Sequence, residues 1–137
     1  MSKVLILASL FLLVVPAQTY TQKSRSNWSE ANASWPKFYT AFVTAVNKRD
    51  RAAMLQMMPD DFFDGGGGAT ASEWLQFIED NAKNGSWRDL KKSFSRGTVI
   101  NRRGSRDGIP TRMTRDDGYY FEFRKDRKWY FAGVVGD

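Results

Sequence analysis

Apolar residues recur every three or four positions in the first half of the chain and every second position near its end. A stripe from Trp35 through Phe42 to Val46 has the spacing of an amphipathic helix. Serine is a favoured N-cap residue, and proline is tolerated in a first helical turn. The Ser34-Trp-Pro sequence therefore predicts that this helix begins at Ser34 and runs to about Lys48.

Three shorter helices are predicted after it. Asp50 can cap a helix over residues 51–58, which Pro59 ends because the residue before a proline is disfavoured in the helical region. Thr70 and Glu73 have the spacing of a capping box, and a further helix restarts at Ser86 after an Asn-Gly exit. Between these helices, residues 60–64 predict a short strand or turn, and the four glycines 65–68 predict a mobile loop.

The alternating pattern of period two predicts strands from residue 98 onward. Residues 98–101 and 109–115 give two strands, and residues 119–124 and 128–134 give a hairpin. In that hairpin Phe121 faces one side of the sheet and Glu122 the other. Helices followed by a meander predict an α+β fold, with N-terminal helices packed on a curved antiparallel sheet, cone-like and of cystatin type.

The first seventeen residues have the layout of a secretory signal peptide. A positive charge at Lys3 precedes the apolar run Val4 to Val15, and Ala17 suits the cleavage site. The run is shorter than the roughly 20 residues that cross a bilayer. We therefore expect a signal peptide over 1–17, a flexible leader over 18–33, a single domain over 34–137, and a secreted or periplasmic protein. Retention of the run as an anchor is the alternative.

The chain contains no cysteine and no histidine. These absences exclude disulfides, Cys–His and Ser–His–Asp catalysis, and the usual zinc, haem and iron–sulfur sites. No segment has the calcium-loop pattern of alternating aspartates. We therefore expect neither a cofactor nor a metal.

The order of elements resembles the nuclear-transport-factor-2-like superfamily. The resemblance covers about residues 34–135 and is carried by paired helices, the break Asp60-Asp61-Phe62-Phe63, a glycine loop, a helix and the final hairpin with Lys128-Trp-Tyr-Phe-Ala-Gly133. It implies a sheet curled around a deep pocket. It also implies either an isomerase, dehydratase or hydrolase acting on a hydrophobic molecule, or a binding protein without catalysis. The dehydratase-type pairing of aspartate with histidine has no counterpart in this chain.

An isomerase-like site needs a carboxylate base in an apolar pocket and a hydroxyl donor for the oxyanion. The candidate bases are Asp61 and Asp64 beside two phenylalanines, and Glu122 between aromatic residues. The candidate donors are tyrosines: Tyr120, with Tyr39, Tyr119 and Tyr130 as alternatives. The alternative is structural. The aspartates follow a helix-ending proline, where turn carboxylates are common. Glu122 could instead pair across strands with a basic residue such as Lys128 or Arg112.

Six aromatic residues on the predicted apolar faces are candidates for lining a pocket: Trp35, Phe42, Trp74, Phe121, Trp129 and Phe131. Their helical and strand spacing is equally what a packed core requires.

The net charge is +6, and ten basic residues lie between residues 96 and 128. Arg102, Arg103 and Arg106 share one predicted loop and could bind an anionic polymer through their guanidinium groups. Five acidic residues are interleaved in the same stretch, and strand alternation separates its charges onto two faces. Nucleic acid is therefore disfavoured as a partner.

Taken together, the sequence favours an exported, non-catalytic domain that binds a small hydrophobic ligand or a protein. The alternatives are an isomerase- or hydrolase-type enzyme with an aspartate base, and a domain that binds an anionic polymer. No membrane span is expected after cleavage, and the pattern leaves a homodimer open.

Overall fold

A helical N-terminal half precedes a five-stranded sheet in the computed structural model, which describes residues 18–101, 108–116 and 118–135. Within those residues the helices are α1 (Gln18–Lys48), α2 (Arg51–Gln56), α3 (Ala71–Asp80) and α4 (Ser86–Ser95). The strands are β1 (Phe63–Asp64), β2 (Thr98–Ile100), β3 (Thr111–Thr114), β4 (Tyr119–Phe123) and β5 (Trp129–Val134). The predicted α+β class is confirmed, with the helices packed on one face of the sheet.

The predicted starts of the three shorter helices are confirmed to within one residue, whereas α3 ends at Asp80, before the predicted Asn-Gly exit. The Asp50 side chain accepts a hydrogen bond from the Ala53 N–H at 3.0 Å. Thr70 and Glu73 form the reciprocal capping box that opens α3. Gly85, with a φ of 93°, adopts the left-handed conformation between a short 3₁₀ turn and α4. Local capping chemistry thus decides where these helices begin.

The predicted start of α1 is wrong. Within the described residues the helix already runs from Gln18, so residues 18–33 are helical where a flexible leader was expected. The Ser34 hydroxyl donates to carbonyls one turn back instead of capping. Packing explains the difference: Ala31 is fully buried, and its carbonyl accepts a 2.9 Å hydrogen bond from the Trp129 indole N–H. These contacts with the sheet are non-local, so local propensity does not reveal them.

The sheet has the order β1-β5-β4-β3-β2 and is open at both edges. Four strands, β2 to β5, form the predicted antiparallel meander. The sheet is nevertheless mixed, because β1 pairs with β5 in parallel. A Cβ on Gly133 would lie 2.3 Å from the Phe63 carbonyl oxygen, so the absence of a side chain there lets β1 approach.

The core lies between the helices and the sheet face toward them, which we call the inner face. Phe121 pairs with Phe131 and Phe123 with Trp129 across β4 and β5, as the alternation predicts. Phe42 from α1 and Phe94 from α4 pack onto these rings, and all of these side chains are buried. A register shift near Tyr120 marks a bulge between β4 and β5.

Candidate functional site

The sheet face away from the helices, here called the outer face, carries a row of residues that crosses all five strands. Strand register places in one line Val99, Met113, Tyr120, Gly133 and Phe63. A Cβ on Gly133 would lie 2.9 Å from the Tyr120 hydroxyl oxygen and 3.0 Å from the Phe63 Cβ, so these two side chains share one face. None of the row belongs to the core cluster.

The two ends of this cross-strand row are open to solvent. Phe63 is 46% exposed and Val99 is 40% exposed, while Met113 and Tyr120 between them are half-buried. Contiguous apolar surface across a sheet is a property that many interaction sites share.

A groove of about 740 Å³ lies next to the row, beside the β4–β5 hairpin. We call it the hairpin groove. Its lining combines apolar and charged side chains: Met58, Pro59, Asp60, Asp61, Ile109, Glu122, Arg124, Lys125, Asp126 and Tyr130. The candidate bases Asp61 and Glu122 therefore meet in one place.

Arg124 links the two carboxylates at the floor of the groove. Its guanidinium donates to Asp61 Oδ1 at 2.6 Å and to Glu122 Oε2 at 3.0 Å. It also lies over the Tyr130 ring, 5.6 Å from the ring centre. Desolvation lowers the pKa of Arg124, but the two carboxylates outweigh this effect and the net shift is upward. Glu122 thus pairs with Arg124 rather than with Lys128 or Arg112.

Tyr130 and Asp126 form a second hydrogen-bonded pair in the groove. The Tyr130 hydroxyl donates to Asp126 Oδ2 at 2.5 Å. This hydrogen bond, followed by burial, raises the pKa of Tyr130, so the phenol stays protonated at neutral pH.

Asp64 organises the glycine loop. Its carboxylate accepts backbone N–H bonds from Ala69 at 2.8 Å, Gly68 at 2.9 Å and Gly66 at 3.3 Å. These bonds, the one from Ala69 first, lower the pKa of Asp64. The loop is irregular, as predicted, yet a specific set of hydrogen bonds holds it. A smaller depression of about 310 Å³ lies at this loop and shares Asp60 with the hairpin groove.

The candidate catalytic residues are not arranged as an isomerase site. Asp61 has a 74% exposed side chain and, like Glu122, is engaged by Arg124. Asp64 has a lowered pKa, the opposite of what a general base in an apolar pocket requires. Tyr120 lies in the cross-strand row over Gly133. The described arrangement offers charge pairs and hydrogen bonds for binding, and it supplies no carboxylate in an apolar environment to remove a proton.

The six residues expected to line a pocket are core residues in the structure: Trp35, Phe42, Trp74, Phe121, Trp129 and Phe131. Their rings contact one another, with centres 4.7 Å apart for Trp35 and Trp129 and 5.1 Å apart for Phe42 and Phe131. Such distances are those of direct aromatic packing. None of the six lines the hairpin groove or the loop depression.

Several predictions from the sequence lie outside the described residues. These are the signal peptide over 1–17 and the basic loop residues Arg102, Arg103 and Arg106. Within residues 18–101, 108–116 and 118–135, no group of three or more acidic residues is placed to hold a metal ion. Across the same residues, no helix combines the length and the apolar character that a membrane crossing needs.

Comparisons with protein-family models, with curated proteins and with solved structures found no match. The resemblance to the nuclear-transport-factor-2-like superfamily therefore stays a prediction.

Sequence reasoning missed the feature that assembles the groove. The parallel pairing of β1 with β5, together with a 2.8 Å bond from the Phe131 N–H to the Met57 carbonyl, brings residues 57–64 alongside the hairpin. This places Asp61 next to Arg124, 63 positions later in the chain. The only signal in the sequence was Gly133, a glycine inside an otherwise strong strand pattern.

Proposed function

We propose that this chain is a non-catalytic binding domain that docks a protein partner on the outer face of its sheet. The observation that carries the proposal is the contrast between an inner face whose aromatic rings pack on one another and an outer face whose apolar row is exposed at both ends. We also propose that the domain acts outside the cytoplasm, on the strength of the signal-like residues 1–17.

The interior supports a protein partner over a small hydrophobic ligand. Phe42, Phe121 and Phe131 are each fully buried and lie in mutual ring contact, with centres 5.1 to 5.3 Å apart. Small-molecule sites usually enclose about 300 Å³ or more among apolar side chains. The two depressions described above are instead open features on the surface, edged by carboxylates.

The outer face supports a macromolecular partner because of its extent. The row spans five strands, and neighbouring strands lie about 4.8 Å apart, so its ends are roughly 19 Å apart. Docking surfaces of this kind combine an apolar, aromatic centre with a polar rim. Met113 and Tyr120 supply such a centre, and the hairpin groove supplies the polar side.

Site-specific photo-crosslinking in the cells that produce the protein tests this proposal. A photoreactive phenylalanine analogue replaces Met113 or Val99 in the outer face, or Phe77 as a control. Phe77 is an exposed aromatic residue on α3, 62% accessible and outside the core cluster. We expect one adduct of the same mass from both outer-face positions and none from position 77.

Competition makes the result specific. Excess unlabelled wild-type chain should abolish the adduct, and a Tyr120→Asp variant, which puts a charge in the centre of the row, should fail to compete. Equal adducts from all three positions, or competition by Tyr120→Asp at wild-type strength, would contradict the proposal.

A further inference from the structure

We infer that the partner inserts a basic segment, rich in lysine and arginine, into the hairpin groove; the inference rests on the proposed function. The described lining holds four carboxylates, from Asp60, Asp61, Glu122 and Asp126, against the two cations of Arg124 and Lys125. The described part of the lining therefore carries two more negative than positive charges.

The charge of the groove opposes that of the chain as a whole. The full sequence has 21 basic and 15 acidic residues, a net charge of +6. A cationic segment is repelled by most of such a surface and attracted where carboxylates are in excess, and repulsion elsewhere adds to specificity. An anionic segment meets the reverse situation. Charge complementarity therefore favours the groove over the rest of the surface as the binding site, and favours a basic segment as its occupant.

The carboxylates of the groove remain able to accept hydrogen bonds from a partner. Arg124 uses Oδ1 of Asp61, and a carboxylate offers about four acceptor positions on its two oxygens. Asp61 is largely exposed, as is Asp60 at the junction of the two depressions. Incoming guanidinium or ammonium groups would therefore reach both aspartates without displacing Arg124 from Glu122.

The apolar part of the lining suits the stems of long basic side chains. Met58, Ile109 and the Tyr130 ring lie among the charged groups of the groove. Lysine and arginine bury their methylene chains on such surfaces while their charged ends stay near water and carboxylates. The adjacent cross-strand row would then take the apolar side chains of the same segment.

A random dodecapeptide library displayed on phage, selected on the folded wild-type domain at low salt, tests the inference. We expect the enriched peptides to carry clearly more lysine and arginine than aspartate and glutamate. The strongest peptide, synthesised with a fluorescent label, is then titrated by anisotropy. Its affinity should fall as salt is raised, because the charges in the groove are partly exposed.

Two matched charge reversals locate the binding. Asp60→Lys, in the groove, should weaken the peptide about fivefold to tenfold, since it replaces an attraction with a repulsion. Asp80→Lys makes the same change at an exposed position at the end of α3 and should alter the affinity less than twofold. Both side chains lie at the surface, so an unchanged thermal midpoint should show that each variant is folded.

Enrichment of neutral or acidic peptides would overturn the inference, as would basic peptides that bind Asp60→Lys and wild type equally. Self-association that occludes the groove, seen as a dimer in sedimentation that Asp60→Lys dissociates, would also overturn it by making a second copy the occupant. Crosslinks from position 113 without selection of basic peptides would leave the proposed function standing and remove only the basic segment.

Discussion

The two faces of the sheet are built from alternate residues of the same strands, yet their environments are opposite. On the inner face Phe121 and Phe131 are fully buried among aromatic rings. On the outer face their neighbours Glu122 and Tyr130 are half-buried and belong to a network of charges and hydrogen bonds. The comparison suggests a division of labour, in which the inner face supplies stability and the outer face is available for recognition.

The inner and outer faces also differ in how their polar groups are arranged. The inner side uses few polar groups: the Tyr39 hydroxyl donates to the Phe94 carbonyl at 2.5 Å, and burial raises the pKa of Tyr39 to about 12. The Arg112 guanidinium lies over the Trp35 ring, and its buried Nε has no hydrogen-bond partner among the described residues. On the outer side the polar residues are grouped, because Asp61 and Glu122 both accept hydrogen bonds from Arg124. Changes on the inner face should therefore affect folding, and changes on the outer face should affect binding.

The largest effect should come from emptying the centre of the inner face. Phe131→Ala removes a fully buried ring that contacts Phe42, Phe62, Phe94 and Phe121. We expect the free energy of unfolding to fall by about 3–5 kcal/mol, from lost burial and the cavity that remains. Urea denaturation followed by tryptophan fluorescence measures it. A loss below about 1 kcal/mol would mean that the inner face is not the source of stability.

A smaller loss should follow when one polar contact of the inner face is removed. Trp129→Phe deletes the indole N–H that donates to the Ala31 carbonyl at 2.9 Å. We expect a cost of about 2–3 kcal/mol, because a buried hydrogen bond is lost and the smaller ring leaves a cavity. Hydrogen exchange of the α1 amides around Ala31 should accelerate relative to the rest of α1. Trp28→Phe, on the same helix but half-exposed, is the control and should cost less than about 0.5 kcal/mol.

Lowering the pH should reduce the stability of the edge of the sheet, because Asp64 becomes protonated there. Its folded pKa lies below the ordinary value of 3.8, so its stabilising contribution is complete above that value and is lost as pH falls through the folded pKa. Carboxyl NMR titration should give an Asp64 pKa below 3.8. In denaturation series between neutral pH and about pH 2, Asp64→Asn should show a weaker loss of stability in acid. A measured pKa at or above 3.8 would refute the role assigned to the glycine loop.

The smallest effect on stability should come from the outer face. Val99→Thr, at a 40% exposed position, should change the free energy of unfolding by less than about 0.5 kcal/mol. The same substitution at the fully buried Val46 introduces a hydroxyl into the core and should cost about 1–3 kcal/mol. Equal costs at the two positions, measured in parallel by urea denaturation, would erase the distinction between exposed and buried faces.

Local rules predicted much of this fold and little of how its outer face is assembled. The period-two pattern correctly assigned Phe121 and Glu122 to opposite faces, and capping chemistry correctly placed the starts of α2 and α3. These signals lie within a few residues of the structure that they specify. The early start of α1 and the parallel β1 depend instead on contacts between residues about 70 to 100 positions apart, which no local pattern encodes.

The candidate site divides in the same way. The sequence singled out Asp61, Asp64 and Glu122, and all three lie in or beside the two depressions. Their chemistry was not predictable, because the partners that fix it come from elsewhere in the chain. Arg124 lies beside Asp61 because β1 pairs with β5, and the amides that bind Asp64 come from the glycine loop that follows it.

The length of α1 has a practical consequence for handling the molecule. Its 31 residues make a rod of about 46 Å, whereas the six residues of β5 extend only about 20 Å. The turns from Gln18 to Ser29 continue roughly 18 Å beyond the contacts that Glu30 and Ala31 make with the hairpin. A tether attached ahead of Gln18 would therefore be separated from the hairpin by about this length of helix.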